Sequence, residues 1–149
     1  MCGIIGITSS NDVTSRIINS LKKLEYRGYD SAGISTLNKN FINEVKCEGR
    51  VETLEKNILK SNLEGNIGIG HVRWATHGKP STINAHPHSS EKVSVVHNGI
   101  IENSTILKKI LENKGYKFKS QTDTEVIAHL MTDYLKKNNL HKTIVKVLK

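Results

Sequence analysis

Apolar residues recur along this chain in two rhythms, which together set out its elements. Short apolar runs bounded by glycine or polar residues mark buried strands. Residues 2–8 (CGIIGIT), 66–76 (NIGIGHVRWAT) and 93–101 (VSVVHNGII) are of this kind. Between them the three-and-four spacing of amphipathic helices takes over. Val13, Ile17, Ile18, Leu21 and Leu24 share one face of a helix predicted over 12–25, and Val51, Leu54, Ile58 and Leu59 mark a second over 51–61. A third carries Leu107, Ile110 and Leu111, with Asn103 or Ser104 as its cap and Gly115 as its end. A fourth carries Val126, Ile127, Leu130, Met131, Tyr134 and Leu135, and Thr122-Asp123-Thr124-Glu125 at its start has capping-box spacing. The tail from Leu140 begins one more helix. Residues 41–46 alternate weakly and are expected to pair with 33–37 through Asn38-Lys39-Asn40. HGKPSTINAHPHSS, which holds both prolines, reads as a polar loop. Strands and helices do not alternate one for one. That pattern predicts an α+β layered fold rather than a doubly wound parallel sheet.

Composition narrows the function classes. At 149 residues, with 36% hydrophobic and 24% charged, the chain suits one compact domain. Its apolar runs fall far short of the roughly 20 residues that a spanning helix needs, so no membrane role is expected. No basic segment precedes the first apolar run and no small-residue cleavage site follows it, so a cytoplasmic location is expected. The net charge of +8 raises the question of nucleic acid. The lysines, however, are spread along helical stretches such as LKKLEYR and YLKKNNLHK, and no basic run is interleaved with stacking aromatics. No nucleic-acid partner is expected. Two cysteines are too few for a disulfide framework. Five histidines fall between His71 and His97, yet without HExxH or a CxxC pair they predict no metal site.

Four groups of residues carry candidate chemistry. Cys2 becomes the first residue when Met1 is removed, as is usual ahead of a small side chain. Its thiol then shares a residue with an α-amine that is partly neutral near pH 7 and accepts the thiol proton. Such a nucleophile needs no histidine, although a small second residue is common and alone says little. In Gly70-His71-Val72-Arg73-Trp74-Ala75-Thr76-His77-Gly78, Arg73 offers a planar fork for a carboxylate, and Thr76 and His77 can bond the same group. Asn98 and Gly99 offer a side-chain amide and a backbone N–H, the two donors of an oxyanion hole; Asn-Gly is equally the signature of a plain turn. Asp123 in a first helical turn is explained by the helix dipole, unless a ligand ammonium sits opposite.

In order, CGI, YRGYDSAGI, GHVRWATHG, NAHPH, HNGIIEN and DTEVIAHL resemble the glutaminase domain of the glutamine–fructose-6-phosphate aminotransferases, or glucosamine-6-phosphate synthases. These are class II glutamine amidotransferases, a branch of the N-terminal nucleophile hydrolases. The resemblance spans nearly the whole chain. It implies a four-layer αββα sandwich, here truncated on its C-terminal side. Residues 1–149 would be the N-terminal part of the domain, without the sugar-isomerase domains that meet fructose 6-phosphate. It further implies that Cys2 attacks the glutamine side-chain amide, that Asn98 and Gly99 hold the oxyanion, and that Arg73, Thr76 and His77 bind the α-carboxylate. Asp123 would bind the α-ammonium and Trp74 would cover the site, while His86 and His97 would support these groups. Glutamine is the implied partner, no cofactor is implied, and the family is usually homo-oligomeric. Two other readings stand beside this one: an inactive fragment that acts only by binding a full-length partner, and another class II amidotransferase, against which YRGYDSAGI speaks.

Overall fold

The computed structural model describes residues 1–76 and 78–148. Strands β1 (Gly3–Thr8), β2 (Ser31–Asn38), β3 (Phe41–Glu48) and β4 (Ile67–Arg73) form one antiparallel sheet in the order β1-β4-β2-β3. The hairpin joining β2 to β3 turns on Lys39 and Asn40, with Lys39 at φ 57°. Its register sets Gly33 opposite Lys46 and Leu37 opposite Ile42, so 33–37 does pair with 41–46.

Helices α1 (Thr14–Leu24) and α2 (Val51–Ser61) cover one face of this sheet. Ile17, Ile18 and Leu21 of α1 meet Val51, Leu54 and Ile58 of α2 over Ala32, Ile34 and Val72 of the sheet, all of them buried. Each such aliphatic side chain contributes about 1.5–3 kcal/mol on burial, and this cluster is the principal core. Leu59, expected among the apolar positions of α2, is instead 78% exposed. The start of α1 is tied down by Asp12, whose carboxylate accepts from the backbone N–H of Thr14 (3.1 Å) and of Gly65 (2.8 Å), the latter just ahead of β4.

The opposite face of the sheet receives a second, two-stranded sheet of β5 (His88–Ser90) and β6 (Val93–Val95). The two sheets approach closely at Gly33, where an added Cβ would lie 2.1 Å from the carbonyl oxygen of His86. Lys46 Nζ donates to the Pro87 carbonyl (3.1 Å), and Ser89 Oγ donates to the Glu44 carboxylate (2.7 Å), so β3 and β5 are bridged by polar contacts. Beyond the small sheet lie α3 (Ser104–Asn113), α4 (Glu125–Leu135) and α5 (Leu140–Val147), with α4 against β5 and β6. Thr132 Oγ1 donates to the Ser90 carbonyl, and His129 Nδ1 shares a hydrogen bond with Ser90 Oγ, both at 2.9 Å. Helix, sheet, sheet and helix make the expected four αββα layers, the second sheet being three residues deep on each strand. Among the described residues no helix is long and apolar enough to cross a membrane.

Three local expectations are corrected. The strand expected over 93–101 ends at Val95, because the residues that follow find polar partners on the start of α4 rather than on a neighbouring strand. The capping box does not form. Glu125 accepts from the backbone N–H of Lys119 (2.8 Å) and Ser120 (2.7 Å) and from Ser120 Oγ (2.7 Å), while Thr122 Oγ1 is hydrogen-bonded to His88 Nε2 (2.8 Å). Glu125 thus pins the preceding loop rather than its own helix start. Asn103 stands at the start of α3 but makes no side-chain capping bond.

Candidate active site

The pairing of β1 with β4 sets Gly3 opposite Val72, which brings Cys2 alongside the end of β4. There Trp74 N–H donates to Cys2 Sγ (3.4 Å), and the thiol points back to the Trp74 carbonyl (3.6 Å). Arg27, on the 3-10 turn Glu25–Arg27, donates from Nε to the Cys2 carbonyl (3.0 Å). The first residue pair is therefore held from two sides, by β4 and by the segment leading to β2.

Arg73 is the last residue of β4 and is buried, donating from Nη2 to the Gly78 carbonyl (3.2 Å). Burial lowers its pKa from the ordinary arginine value, and the nearby Asp30, Cys2 and Asp123 partly offset this. Asp30, which the sequence marks only as part of a loop, organises the segment after Arg73. Its backbone N–H donates to the Arg73 carbonyl (3.2 Å), and its carboxylate accepts from the Ala75 N–H. Together these contacts fix the Trp74 peptide that holds the thiol. Trp74 itself is half-exposed, with its ring edge-on to Tyr29 at 5.5 Å between centroids.

The far wall comes from the loop after β6 and from the start of α4. Asn98 and Gly99 lie exposed on the loop, whose end is fastened where Ile101 N–H donates to Asp123 Oδ2 (2.7 Å). Cys2, Arg73, Trp74, Thr76, Asn98, Gly99 and Asp123 all line one cavity of about 290 Å³, a size suited to a small molecule. Met1 lines it too. His77 lies outside the described residues. The candidates are spread over more than 120 positions of sequence, yet they converge on one cleft bearing a thiol, a buried cation, a carboxylate and a loop of amide donors. A free amino acid with a side-chain amide needs those four chemical types.

His86, which lines the cleft, belongs to a buried cluster of three histidines. His86 stacks on His71 (4.4 Å between ring centroids) and meets His88 edge-on (4.6 Å). Burial pulls His71 down to about 3 and His88 to about 4, with positive neighbours adding to the effect, and it lowers His86 further still. All three rings are neutral in the folded protein at neutral pH and become charged near pH 6.5 only on unfolding. The unfolded chain therefore binds more protons below about pH 6.5, and stability falls with pH from there to about pH 4. Each histidine should cost about 2 kcal/mol between pH 7 and pH 5. Glu125, buried yet held down to about 2 by the adjacent His129 and by hydrogen bonds from Ser120 and Lys119, adds its own loss only below about pH 4.5. The expected result is a melting temperature more than about 10 °C lower at pH 5 than at pH 7. Equal melting temperatures at the two values would contradict it. Among the described residues no group of three His, Cys, Asp or Glu side chains is placed to hold a metal ion.

Comparison with known proteins matches this architecture and its sequence to one family. Residues 71–147, just over half of the chain, fit the model of the glutamine amidotransferase domain. The glutamine–fructose-6-phosphate aminotransferase (isomerizing) of Clostridium acetobutylicum is 53% identical over 99% of this chain, and that of Francisella tularensis is 59% identical over 88%. The chain spans 24% and 22% of those two proteins, about a quarter of each. Among solved structures, glutamine phosphoribosylpyrophosphate amidotransferase from B. subtilis, complexed with ADP and GMP, superposes with a TM-score of 0.79 at 30% identity, over 99% of this chain and 32% of its own. A structure described as the allosteric regulatory enzyme of purine biosynthesis gives a TM-score of 0.81 at 31% identity, with the same coverage. The αββα layering, the cleft beside Cys2 and the matched residues agree: this chain belongs to the glutamine amidotransferase domain family.

Proposed function

We propose that this chain is the glutamine-hydrolysing part of a glutamine–fructose-6-phosphate aminotransferase, acting through Cys2. The observation that carries this reading is the placement of the Cys2 thiol, held against the Trp74 peptide, on the same cavity as Arg73, Asp123 and the Asn98-Gly99 loop.

Removal of Met1 gives Cys2 a free α-amine, which takes the thiol proton. The thiolate adds to the side-chain carbonyl carbon of glutamine. The resulting oxyanion is held by the Asn98 side-chain amide and the Gly99 N–H, groups whose removal typically costs about 10²–10³ in rate. Collapse expels ammonia, which leaves with the proton carried by the α-amine, and a glutamyl thioester remains on Cys2. Water, deprotonated by the same amine, then adds to the thioester and releases glutamate with the thiol restored. Arg73, with Thr76 and His77, binds the substrate carboxylate through a fork matched to that group. Asp123 binds the substrate ammonium; its two carboxylate oxygens already accept from Ile101 N–H and Thr124 Oγ1, which fixes their direction and leaves lone pairs for the ligand. Trp74 covers the cleft.

The ammonia acceptor, fructose 6-phosphate, belongs in this reading to the part of the relatives' length that this chain does not span. The test is direct: chain whose intact mass shows loss of Met1 should release glutamate and ammonia from glutamine in equal amounts. A cooperatively melting chain without Met1 that releases no ammonia would rule the reading out.

A further inference from the structure

The residues that would hold the oxyanion lie exposed on their loop, so something behind them must keep them in place. Two ties run from the loop to adjacent residues of α4's start. His97 Nδ1 is 3.2 Å from Thr124 Oγ1, and Ile101 N–H donates to Asp123 Oδ2 at 2.7 Å. Between these ties the Gly99 backbone rests on the His97 ring: a Cβ added at Gly99 would lie 2.7 Å from Nε2 and 3.1 Å from Cε1 of that ring. The ring thus acts as a wedge under the proposed Gly99 donor, and the hydroxyl of Thr124 sets its rotation. Thr124 is 1% exposed and stands at the start of α4, yet makes no side-chain capping bond there. Beyond a longer hydrogen bond to Asp123 Oδ1 (3.4 Å), its hydroxyl serves the loop, not the helix.

We propose that Thr124 is a positioning residue for glutamine hydrolysis, acting through His97 to hold the Asn98 and Gly99 donors where the oxyanion forms. The proposal rests on the glutamine-hydrolysis reading above. Donors of this kind act by being fixed before charge develops, and displacement by about an ångström at such a site can cost about 100-fold.

Thr124→Val keeps the shape of the buried side chain and removes the hydroxyl; Thr124→Ser keeps the hydroxyl. Steady-state glutamine hydrolysis by the parent chain, both variants and Cys2→Ala, together with ¹⁵N spectra of the His97 imidazole, tests the proposal. Thr124→Val should lower kcat by about 10- to 100-fold with KM within about threefold of the parent, and Thr124→Ser should restore most of the loss. The His97 nitrogen shifts should move in Thr124→Val and stay near the parent's in Thr124→Ser. A Thr124→Val variant with parental kcat would overturn the proposal. So would a rise in KM that accounts for the loss, since Thr124 would then act through Asp123 and the substrate ammonium. Serine no better than valine would overturn it as well. If the parent releases no ammonia, or Cys2→Ala releases as much as the parent, the hydrolysis reading has failed instead. In that case unchanged His97 shifts in Thr124→Val overturn the positioning role by themselves.

Discussion

Replacement of Cys2 by alanine is expected to lower glutamine hydrolysis by at least about 10⁴-fold, the scale seen when the nucleophile of a covalent mechanism is removed. The loss should lie in chemistry alone. The Cys2 side chain is only partly buried, and among the described residues its thiol is hydrogen-bonded to the Trp74 peptide, so the variant should melt within a few degrees of the parent. Cys47 supplies an internal control. It is 3% exposed in the principal core, its thiol lies 3.7 Å from the Arg50 carbonyl, and burial pushes its pKa up. A thiol kept protonated and out of water reacts slowly, so a water-soluble alkylating agent should label Cys2 first and abolish ammonia release in step with that label. Activity that survives complete labelling of Cys2, or the Cys2→Ala substitution, would remove this residue from the mechanism.

Gly33→Ala is expected to destabilise the protein by about 3 kcal/mol or more, the upper end of overpacking effects. The added methyl would sit 2.1 Å from the His86 carbonyl oxygen, with Lys46 Cγ at 2.8 Å. Lys46 can swing away, but the carbonyl cannot. β2 is hydrogen-bonded on both sides, to β4 and β3, and His86 leads directly into β5, so relief requires the two sheets to part. The melting temperature should fall by about 6–12 °C. Because His86 also lines the cleft, kcat should fall in the fraction that stays folded. Denaturant unfolding of Gly33→Ala within about 1 kcal/mol of the parent would show that the sheets slide apart more freely than their packing indicates.

The long elements were legible because their patterns repeat enough times to be read. α1 and α2 place three or four buried apolar residues each at helical spacing, and the β2–β3 turn sits where Asn38-Lys39-Asn40 interrupts the alternation. β5 and β6 are three residues long and give periodicity nothing to work on. The loop from His97 to Ile101 misled in the opposite sense: VSVVHNGII is apolar enough for a strand, but its Ile101 N–H pairs with the Asp123 carboxylate and its His97 ring with the Thr124 hydroxyl, each over 20 residues away. Cys2, Arg73, Asn98, Gly99 and Asp123, singled out by their motifs, line one cavity. Asp30 and Thr124 escaped because each works through another residue's backbone or ring, a function that leaves no mark on residue type. The stacking of His71, His86 and His88 likewise could not be read from their positions in sequence, which carry no recognisable ligand spacing.

The cleft lies along a seam. Arg73 ends the four-stranded sheet with Cys2 and Trp74 beside it, while Asn98 and Gly99 follow the small sheet and Asp123 precedes α4. An amino acid gripped at one end by Arg73 and at the other by Asp123 would therefore span two layers that the Lys46 and Ser89 hydrogen bonds also join. Occupancy stabilises whatever conformation holds the ligand. In the proposed reading substrate is thus also a clasp: the cleft should be most closed and its amides most protected when it is full, and departure of product should loosen the seam that the next molecule must close.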